Sequence, residues 1–327
     1  MKNDGTRHAA IDVGSNTLRL LIGSVQGDEV TRIYTARSVT RLAEDLRETG
    51  SLRKENRERS IEALKDFSRS IAQYGATRVS AVGTSALREA KNSREFVLKA
   101  YEDSGILIDI ISGIREAELT ARGVLAGIQP TAAQSLIIDI GGGSTEWIIQ
   151  EGPFREKVLC GTVPLGVVNL QERFMKTDPP AEHEISALTE RINDSFHSGE
   201  WDIGDAARRE TKTGNHAVSP RGLIGTGGTI TTLASLDLGV REYDYRKIHL
   251  HQIPLARLRQ LMTLLVSLPR HERQKIDGLE PERADLIIPG ILLTIRLMEI
   301  LGFDGITVSD YGLLEGLLVE TKNEEGL

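Results

Sequence analysis

One feature of the chain occurs twice. Ala9-Ala10-Ile11-Asp12-Val13-Gly14-Ser15-Asn16-Thr17 runs into Leu18-Arg19-Leu20-Leu21-Ile22, and Leu136-Ile137-Ile138-Asp139-Ile140-Gly141-Gly142-Gly143-Ser144-Thr145-Glu146 runs into Trp147-Ile148-Ile149. Aligned by Asp12 and Asp139, both read as apolar strand, aspartate, apolar residue, small-residue turn, hydroxyl and second apolar strand. β-branched runs around such a turn predict a β-hairpin. With no Cβ in the way, the turn's N–H groups can approach a phosphate, and the neighbouring aspartate offers a carboxylate to a metal. One such hairpin alone reads as an ordinary tight turn. Two, a domain length apart, predict a duplicated fold whose halves present aspartate-bearing turns to a shared cleft.

Length and charge agree with this organisation. The chain has 327 residues, 40 basic and 47 acidic side chains, and a formal net charge of −7. At roughly 100–200 residues per domain, that length predicts two domains. The acidic balance argues against a nucleic-acid coat, which neutralises many phosphates with a basic surface, but it permits a polyanion in one local basic cleft. Cys160 stands alone, so an internal disulfide and a thiol zinc cluster are excluded and a reducing compartment is expected. Met1 to Ala10 lacks the apolar stretch of a secretory signal. Leu286 to Leu301 carries Arg296 and Glu299 and falls short of the roughly 18 apolar residues of a membrane span. The expectation is a cytoplasmic protein without membrane or nucleic-acid partners.

Between the hairpins the pattern alternates helix and strand, which predicts an α/β chain. Ile61, Leu64, Phe67, Ile71 and Tyr74 recur at helical spacing within Arg53 to Tyr74. A strand at Arg78 to Val82, a helix after Thr84-Ser85, a strand at Ile106 to Ile111 and a helix at Glu116 to Leu125 follow. Later come a helix after Pro254, a buried helix at Asp285 to Leu301, a short strand at Ile306 to Val308 and a closing helix at Gly312 to Glu320. Ser198 to Arg221 reads as irregular and Thr321 to Leu327 as frayed. The basic runs Arg53 to Arg59 and Arg270 to Lys275 read as solvated helix faces. His249 and His251 fall on one face of a strand but lack a third ligand, and Cys160 reads as an inert small residue.

Asp12-Val-Gly-Ser-Asn, Gly83-Thr-Ser-Ala-Leu-Arg88-Glu-Ala, Ile111-Ser-Gly-Ile-Arg-Glu116-Ala, Asp139-Ile-Gly-Gly-Gly-Ser-Thr-Glu146 and Pro281-Glu-Arg-Ala-Asp285 occur in one order. Together they resemble the exopolyphosphatase/guanosine pentaphosphate phosphohydrolase (Ppx/GppA) family, from about residue 8 to about residue 320, in its short two-domain form. The resemblance implies two ribonuclease-H-like (actin-like ATPase) lobes with an inter-lobe cleft. The first lobe would comprise residues 1–120 plus 310–327, and the second 121–309. It implies Mg²⁺-dependent hydrolysis of a terminal phosphoanhydride, with inorganic polyphosphate or guanosine pentaphosphate (pppGpp) as the substrate. A homodimer is common in the family.

By position, Glu116 matches the family's catalytic glutamate, a general base for the attacking water. An acid in the first turn of a helix is also favoured by the helix dipole, and the two roles are compatible. Asp12, Asp139 and Glu146 match metal-facing acids, whose hard oxygens suit Mg²⁺. Ser15, Asn16, Gly141, Gly142, Gly143 and Ser144 would donate to phosphate, and Arg19 and Arg88 would contact its non-bridging oxygens. Gly225-Thr226-Gly227-Gly228-Thr229 opens a helix that lines the cleft in the family. Arg115, Glu118 and Leu314 depart from the family's Glu, Arg and Arg. Those departures keep a second reading open, a phosphate- or alarmone-binding sensor without catalysis.

Overall fold

The computed structural model describes residues 6–27, 29–128, 134–151, 157–203 and 222–323. The chain divides into two compact units, Met1–Gly127 with Tyr311–Leu327, and Ile128–Asp310. In the first, strands β1 (His8–Val13), β2 (Thr17–Gln26), β3 (Glu29–Val39), β4 (Arg78–Gly83) and β5 (Ile108–Ile110) form a sheet in the order β3-β2-β1-β4-β5. The second contains β6 (Gln134–Ile140), β7 (Thr145–Glu151), β8 (Lys157–Val163), β9 (Gly222–Thr226), β10 (Gln252–Pro254) and β11 (Gly305–Val308), ordered β10-β11-β9-β6-β7-β8. Each sheet joins a three-stranded antiparallel meander to parallel strands. β10 adds an antiparallel edge to the second. This is the duplication expected from the two hairpins, in the ribonuclease-H-like α/β topology that the resemblance implies.

Strand periodicity explains how the first sheet is covered on both sides. Ala9, Ile11, Val13, Leu18, Leu20 and Ile22 point into one core with the helices Lys54–Tyr74 and Ser93–Ser104. Ala10, Leu21 and Val82 point to the other, where Leu119 of the helix Gly113–Gly127 and Leu313, Leu317 and Leu318 of the helix Leu313–Asn323 meet them. Those two helices cross on glycines. A Cβ on Gly123 would lie 1.8 Å from the Gly312 carbonyl oxygen, and one on Gly316 would lie 1.9 Å from that of Leu119. The second unit has one large core. Leu136, Ile138, Ile140, Trp147 and Ile149 face the helices Gly227–Leu238 and Ile287–Leu301 across it.

Several expectations shift in detail. The helix predicted from Glu116 begins at Gly113. There the Ser112 Oγ accepts the Arg115 N–H at 3.1 Å, an N-cap that sets the start one turn earlier. The strand near residue 108 is limited to Ile108–Ile110, and the buried helix runs from Ile287, not Asp285. Thr321 to Asn323 continue the closing helix instead of fraying, while residues 324–327 lie outside the described residues. Of the stretch read as irregular, residues 204–221 also lie outside them.

His249 and His251 sit in the turn before β10, not on a strand. His249 Nδ1 accepts the Asp310 N–H at 3.3 Å and His251 Nε2 lies 2.7 Å from Asp237. Arg273, within a run read as solvated, is only 4% exposed. Its guanidinium donates to the carbonyls of Ala284 at 3.0 Å and Leu268 at 2.6 Å, and to Asp178 at 3.0 Å, satisfying groups past the end of the helix Leu255–Ser267. Burial, the largest influence on it, pushes its pKa below the ordinary arginine value. Among the described residues no helix is long and apolar enough to cross a membrane.

Glu184, in the first turn of the helix Glu182–His197, is buried and pairs with no cation among the described residues. Burial alone would raise its pKa. The Thr177 hydroxyl and the N–H groups of Ala181, Lys176 and Thr177 outweigh that and lower it to about 2, from 4.5. A carboxylate lowered in this way stabilises the fold above its unfolded pKa, and the contribution is lost as pH falls from there toward the folded value. Glu184→Gln is therefore expected to cost about 2 kcal/mol near neutrality. The gap to the parent chain should close in urea melts as the pH is lowered through that window. Gly316→Ala tests the helix crossing. An alanine inside a helix ordinarily gains about 1 kcal/mol over glycine, but here two backbones must move apart, so a net loss of about 2 kcal/mol or more is expected in the same melts.

Candidate functional site

In the first unit, β1 and β2 pair Asp12 with Arg19 and Val13 with Leu18, and Gly14-Ser15-Asn16 form the turn between the strand ends Val13 and Thr17. Gly14 is required there, since a Cβ would lie 2.8 Å from the Thr17 carbonyl oxygen. The turn is buried and tied to the chain after β3: the Ser15 carbonyl accepts the Ala43 N–H at 2.9 Å, and the Asn16 carbonyl accepts those of Thr40 at 3.1 Å and Arg41 at 2.9 Å. The Asn16 side chain donates to Thr17 Oγ1 at 3.3 Å. Arg19 donates to Asp12 Oδ2 through Nε at 3.0 Å and through a terminal nitrogen at 2.7 Å. The other oxygen, Oδ1, is buried without a hydrogen-bond partner among the described residues.

Asp12 shares its sheet face with Ala10, Leu21 and Val82, the face on which the helix Gly113–Gly127 packs. Glu116 lies in the first turn of that helix and is 9% exposed. Arg88, from the short helix Ser85–Glu89, donates one nitrogen to Glu116 Oε2 at 2.6 Å and to the Ile111 carbonyl at 3.2 Å. The structure thus joins two pairs of expected site residues, Asp12 with Arg19 and Arg88 with Glu116. Both arginines expected to contact phosphate already hold carboxylates.

Of the departures from the family pattern, Arg115 and Glu118 lie on the outer side of the same helix and Leu314 on the closing helix. Arg115 pairs with Glu320 and, at 3.4 Å, with Glu118, while Arg122 reaches Glu320 at 2.7 Å. Leu314 is partly buried against the Ala10 cluster. The exchanged charges fasten the closing helix.

In the second unit, β6 and β7 set Asp139 opposite Glu146, on the face away from Leu136 and Ile138. Between them Gly141 donates its N–H to the Ser144 carbonyl at 3.0 Å. The turn's carbonyls are occupied from behind. Gly141 accepts the Val167 N–H at 3.0 Å, Gly142 the Val168 N–H at 2.9 Å, and Gly143 the Asn169 side chain at 3.0 Å. The helix Val167–Phe174 can come this close because Gly166 lacks a Cβ, which would meet the Gly142 carbonyl oxygen at 2.2 Å. The N–H groups of Gly142, Gly143 and Ser144 donate to no acceptor among the described residues. Glu146 is 1% exposed, and its Oε1 accepts Ser144 Oγ at 2.7 Å and Thr162 Oγ1 at 2.9 Å.

Thr226 precedes the helix Gly227–Leu238, as the glycine motif predicts, and Gly227 has φ +83°. A Cβ on Gly227 would lie 2.1 Å from Asp139 Oδ1, so the helix start and the carboxylate share one space. The Arg283 guanidinium packs over Gly228, within 2.8 Å of where a Cβ would be. The sequence alone did not bring out Thr162, Asn169, Gly166 or this placement of Arg283. Their signal was faint, a glycine and an asparagine three apart and an arginine within a motif that had no assigned role.

Among the described residues no group of three or more His, Cys, Asp or Glu side chains is arranged to hold a metal ion alone. Mg²⁺ does not need such a cage, since it keeps several waters and binds one or two carboxylates plus phosphate oxygens. The unpartnered, buried Asp12 Oδ1 and the hard-oxygen pair Asp139 and Glu146 fit that chemistry.

The sequence profile of the Ppx/GppA phosphatase family matches residues 21–325. Exopolyphosphatase 2 of Mycobacterium tuberculosis is 30% identical over 329 residues, covering 95% of this chain and 97% of that protein. The guanosine-5'-triphosphate,3'-diphosphate pyrophosphatase of Vibrio vulnificus is 31% identical over 97% of this chain, which spans 59% of that protein's length. Among solved structures, an exopolyphosphatase from Cytophaga hutchinsonii superposes with a TM-score of 0.86 at 28% identity, covering 98% of each chain. With the motifs, the fold and a full-length relative in agreement, the chain belongs to the Ppx/GppA phosphatase family.

Proposed function

We propose that this phosphoanhydride hydrolase is an exopolyphosphatase, releasing orthophosphate from the end of inorganic polyphosphate. The observation that carries the reading is the turn Gly141–Ser144. Its carbonyls are taken up by the helix behind it, so three consecutive N–H groups are left to donate, an arrangement suited to a phosphate's oxygens. The full-length similarity to a mycobacterial exopolyphosphatase supports the same choice. Similarity to the Vibrio pyrophosphatase supports the second reading, hydrolysis of pppGpp, which is the same chemistry at phosphorus with a different leaving group.

In this reading Glu116 accepts a proton from the attacking water as its oxygen bonds to the terminal phosphorus. The anhydride P–O bond breaks, and the electron pair leaves on the shortened chain. Arg88 holds the carboxylate in one orientation through the 2.6 Å bond, so the base is positioned before substrate arrives. In the second unit Gly142, Gly143 and Ser144 would donate to non-bridging oxygens, and in the first Ser15 and Asn16 are the phosphate donors that the resemblance implies. The carboxylates suited to Mg²⁺ are Asp139 and Glu146 in the second unit and Asp12 in the first, and the ion, when bound, would neutralise phosphate charge. Arg19 acts on Asp12, holding Oδ2 so that Oδ1 remains available. The reading sets the enzyme in the cytoplasm, with a phosphate chain as its partner in place of nucleic acid or membrane. The homodimer expectation is a matter for sedimentation.

Glu116→Gln keeps the side chain's shape and its bond to Arg88. It is expected to lower kcat by roughly 10²–10⁴-fold with little change in KM, and unaltered turnover would remove Glu116 from the chemistry. Orthophosphate release should be measured from long-chain polyphosphate and from pppGpp side by side. Faster release from polyphosphate is expected, whereas release from pppGpp alone would reverse the ranking.

A further inference from the structure

Strand β8 is an edge of the second sheet, and the proposed hydrolysis draws on none of its side chains. The registers pair Thr226 with Asp139, Asp139 with Glu146 and Glu146 with Thr162. These four residues therefore stand in one row across β9, β6, β7 and β8 and share a sheet face. Two carboxylates are thus set directly opposite one another, an arrangement that costs a sheet stability. On the β8 side Glu146 is held. Its Oε1 accepts Thr162 Oγ1 at 2.9 Å and Ser144 Oγ at 2.7 Å. Because β8 lies on the far side of β7 from Asp139, the Thr162 bond draws Oε1 away from the other acid.

Close packing keeps this row in register. Trp147, opposite Gly161 and buried, lies across β8 where a Cβ on Gly161 would come within 2.6 Å of its ring atoms. A side chain at that position would push β8 away and carry Thr162 with it. The hydroxyls of the region are divided between tasks, since each has a single proton to donate. Thr145, on the other face of β7, donates to the Leu165 carbonyl at 2.5 Å. Ser144 commits its hydroxyl to Glu146, so what it offers a phosphate is its backbone N–H. Thr162 is exposed while Glu146 is buried, so the bond reaches from the surface of the sheet edge onto the carboxylate.

We infer that Thr162 is a positioning residue for metal loading: with the Ser144 hydroxyl it clamps Glu146 in the orientation in which that carboxylate takes a divalent cation beside Asp139. The inference rests on the reading in which Asp139 and Glu146 bear the ion. A carboxylate already fixed through one oxygen need not be reoriented when the cation arrives. Removing such a hydrogen-bond partner from a metal ligand typically costs about 10–100-fold in metal affinity. Thr162 acts through Glu146 in this scheme and has no role at phosphorus.

Mn²⁺ suits the same hard oxygen ligands as Mg²⁺, and its paramagnetic resonance signal measures binding without turnover. Thr162→Val removes the hydroxyl and keeps the volume, at an exposed strand position where valine is favoured. It is expected to weaken Mn²⁺ binding roughly tenfold, and to raise the Mg²⁺ concentration for half-maximal orthophosphate release by the same factor. Thr162→Ser keeps a hydroxyl and should bind Mn²⁺ within about twofold of the parent chain. Thr31→Val, at an exposed strand threonine of the first unit, should move neither value. Ser144→Ala removes the second hydroxyl and should weaken Mn²⁺ as Thr162→Val does. A raised KM for polyphosphate in Ser144→Ala with Mn²⁺ affinity unmoved would put that hydroxyl on phosphate and overturn the clamp. Equal losses in Thr162→Val and Thr162→Ser would also overturn it, as would a lowered Tm in Thr162→Val with Mn²⁺ affinity unmoved. If Thr162→Val weakens Mn²⁺ as expected but the parent chain releases no orthophosphate from polyphosphate, the hydrolase reading fails and the clamp stands. If the parent chain releases orthophosphate and Thr162→Val binds Mn²⁺ as tightly as it does, the clamp alone fails. A parent chain that binds no Mn²⁺ overturns the clamp whatever the turnover.

Discussion

A β-strand sends alternate residues to opposite faces, and the site in the first unit depends on that constraint. Along β1, Ala9, Ile11 and Val13 fill one core, so Ala10 and Asp12 must turn to the other. A one-residue slip against β2 would turn Arg19 into the core that Leu18 and Leu20 fill and turn both leucines out of it. The hydrophobic pattern therefore does more than hold the sheet. It fixes which face carries the carboxylate, and the helix bearing Glu116 covers that face because its apolar residues are needed there.

Close backbone approach is the second recurring device. Gly123 and Gly316 let two helices touch through their backbones, Gly166 lets a helix start reach the Gly141–Ser144 carbonyls, and Gly227 makes room for Asp139. In each case a methyl group would occupy space already held by backbone or carboxylate. The functional consequence is clearest at Gly142 and Gly143. Once their carbonyls are bonded from behind, the N–H groups that remain give the turn a positive face without any charged side chain.

Charge in the first unit is arranged in pairs that orient more than they neutralise. Arg19 takes one oxygen of Asp12 and leaves the other, and Arg88 fixes one oxygen of Glu116. The net charge of −7 gives no hint of this, since a polyanion responds to the local arrangement and not to the total. Arg115, Arg122 and Glu320 show the opposite use, surface pairs that fasten one helix to another.

The paired hairpins, the helix carrying Glu116 and the glycine-opened helix at Gly227 were all legible in the sequence, because period-two and helical spacing and turn glycines are local signals. β3 was not, since its half-exposed pattern carries no apolar stripe, and neither was β8 or the burial of Arg273. The motifs by themselves determined which residues could serve phosphate chemistry, through their type and their place beside turns. Which oxygen each arginine holds and which N–H groups remain unspent depend on contacts between residues far apart in the chain. Only the folded units decide these, because hydrogen bonding and steric exclusion act on distances in space that no local spacing encodes.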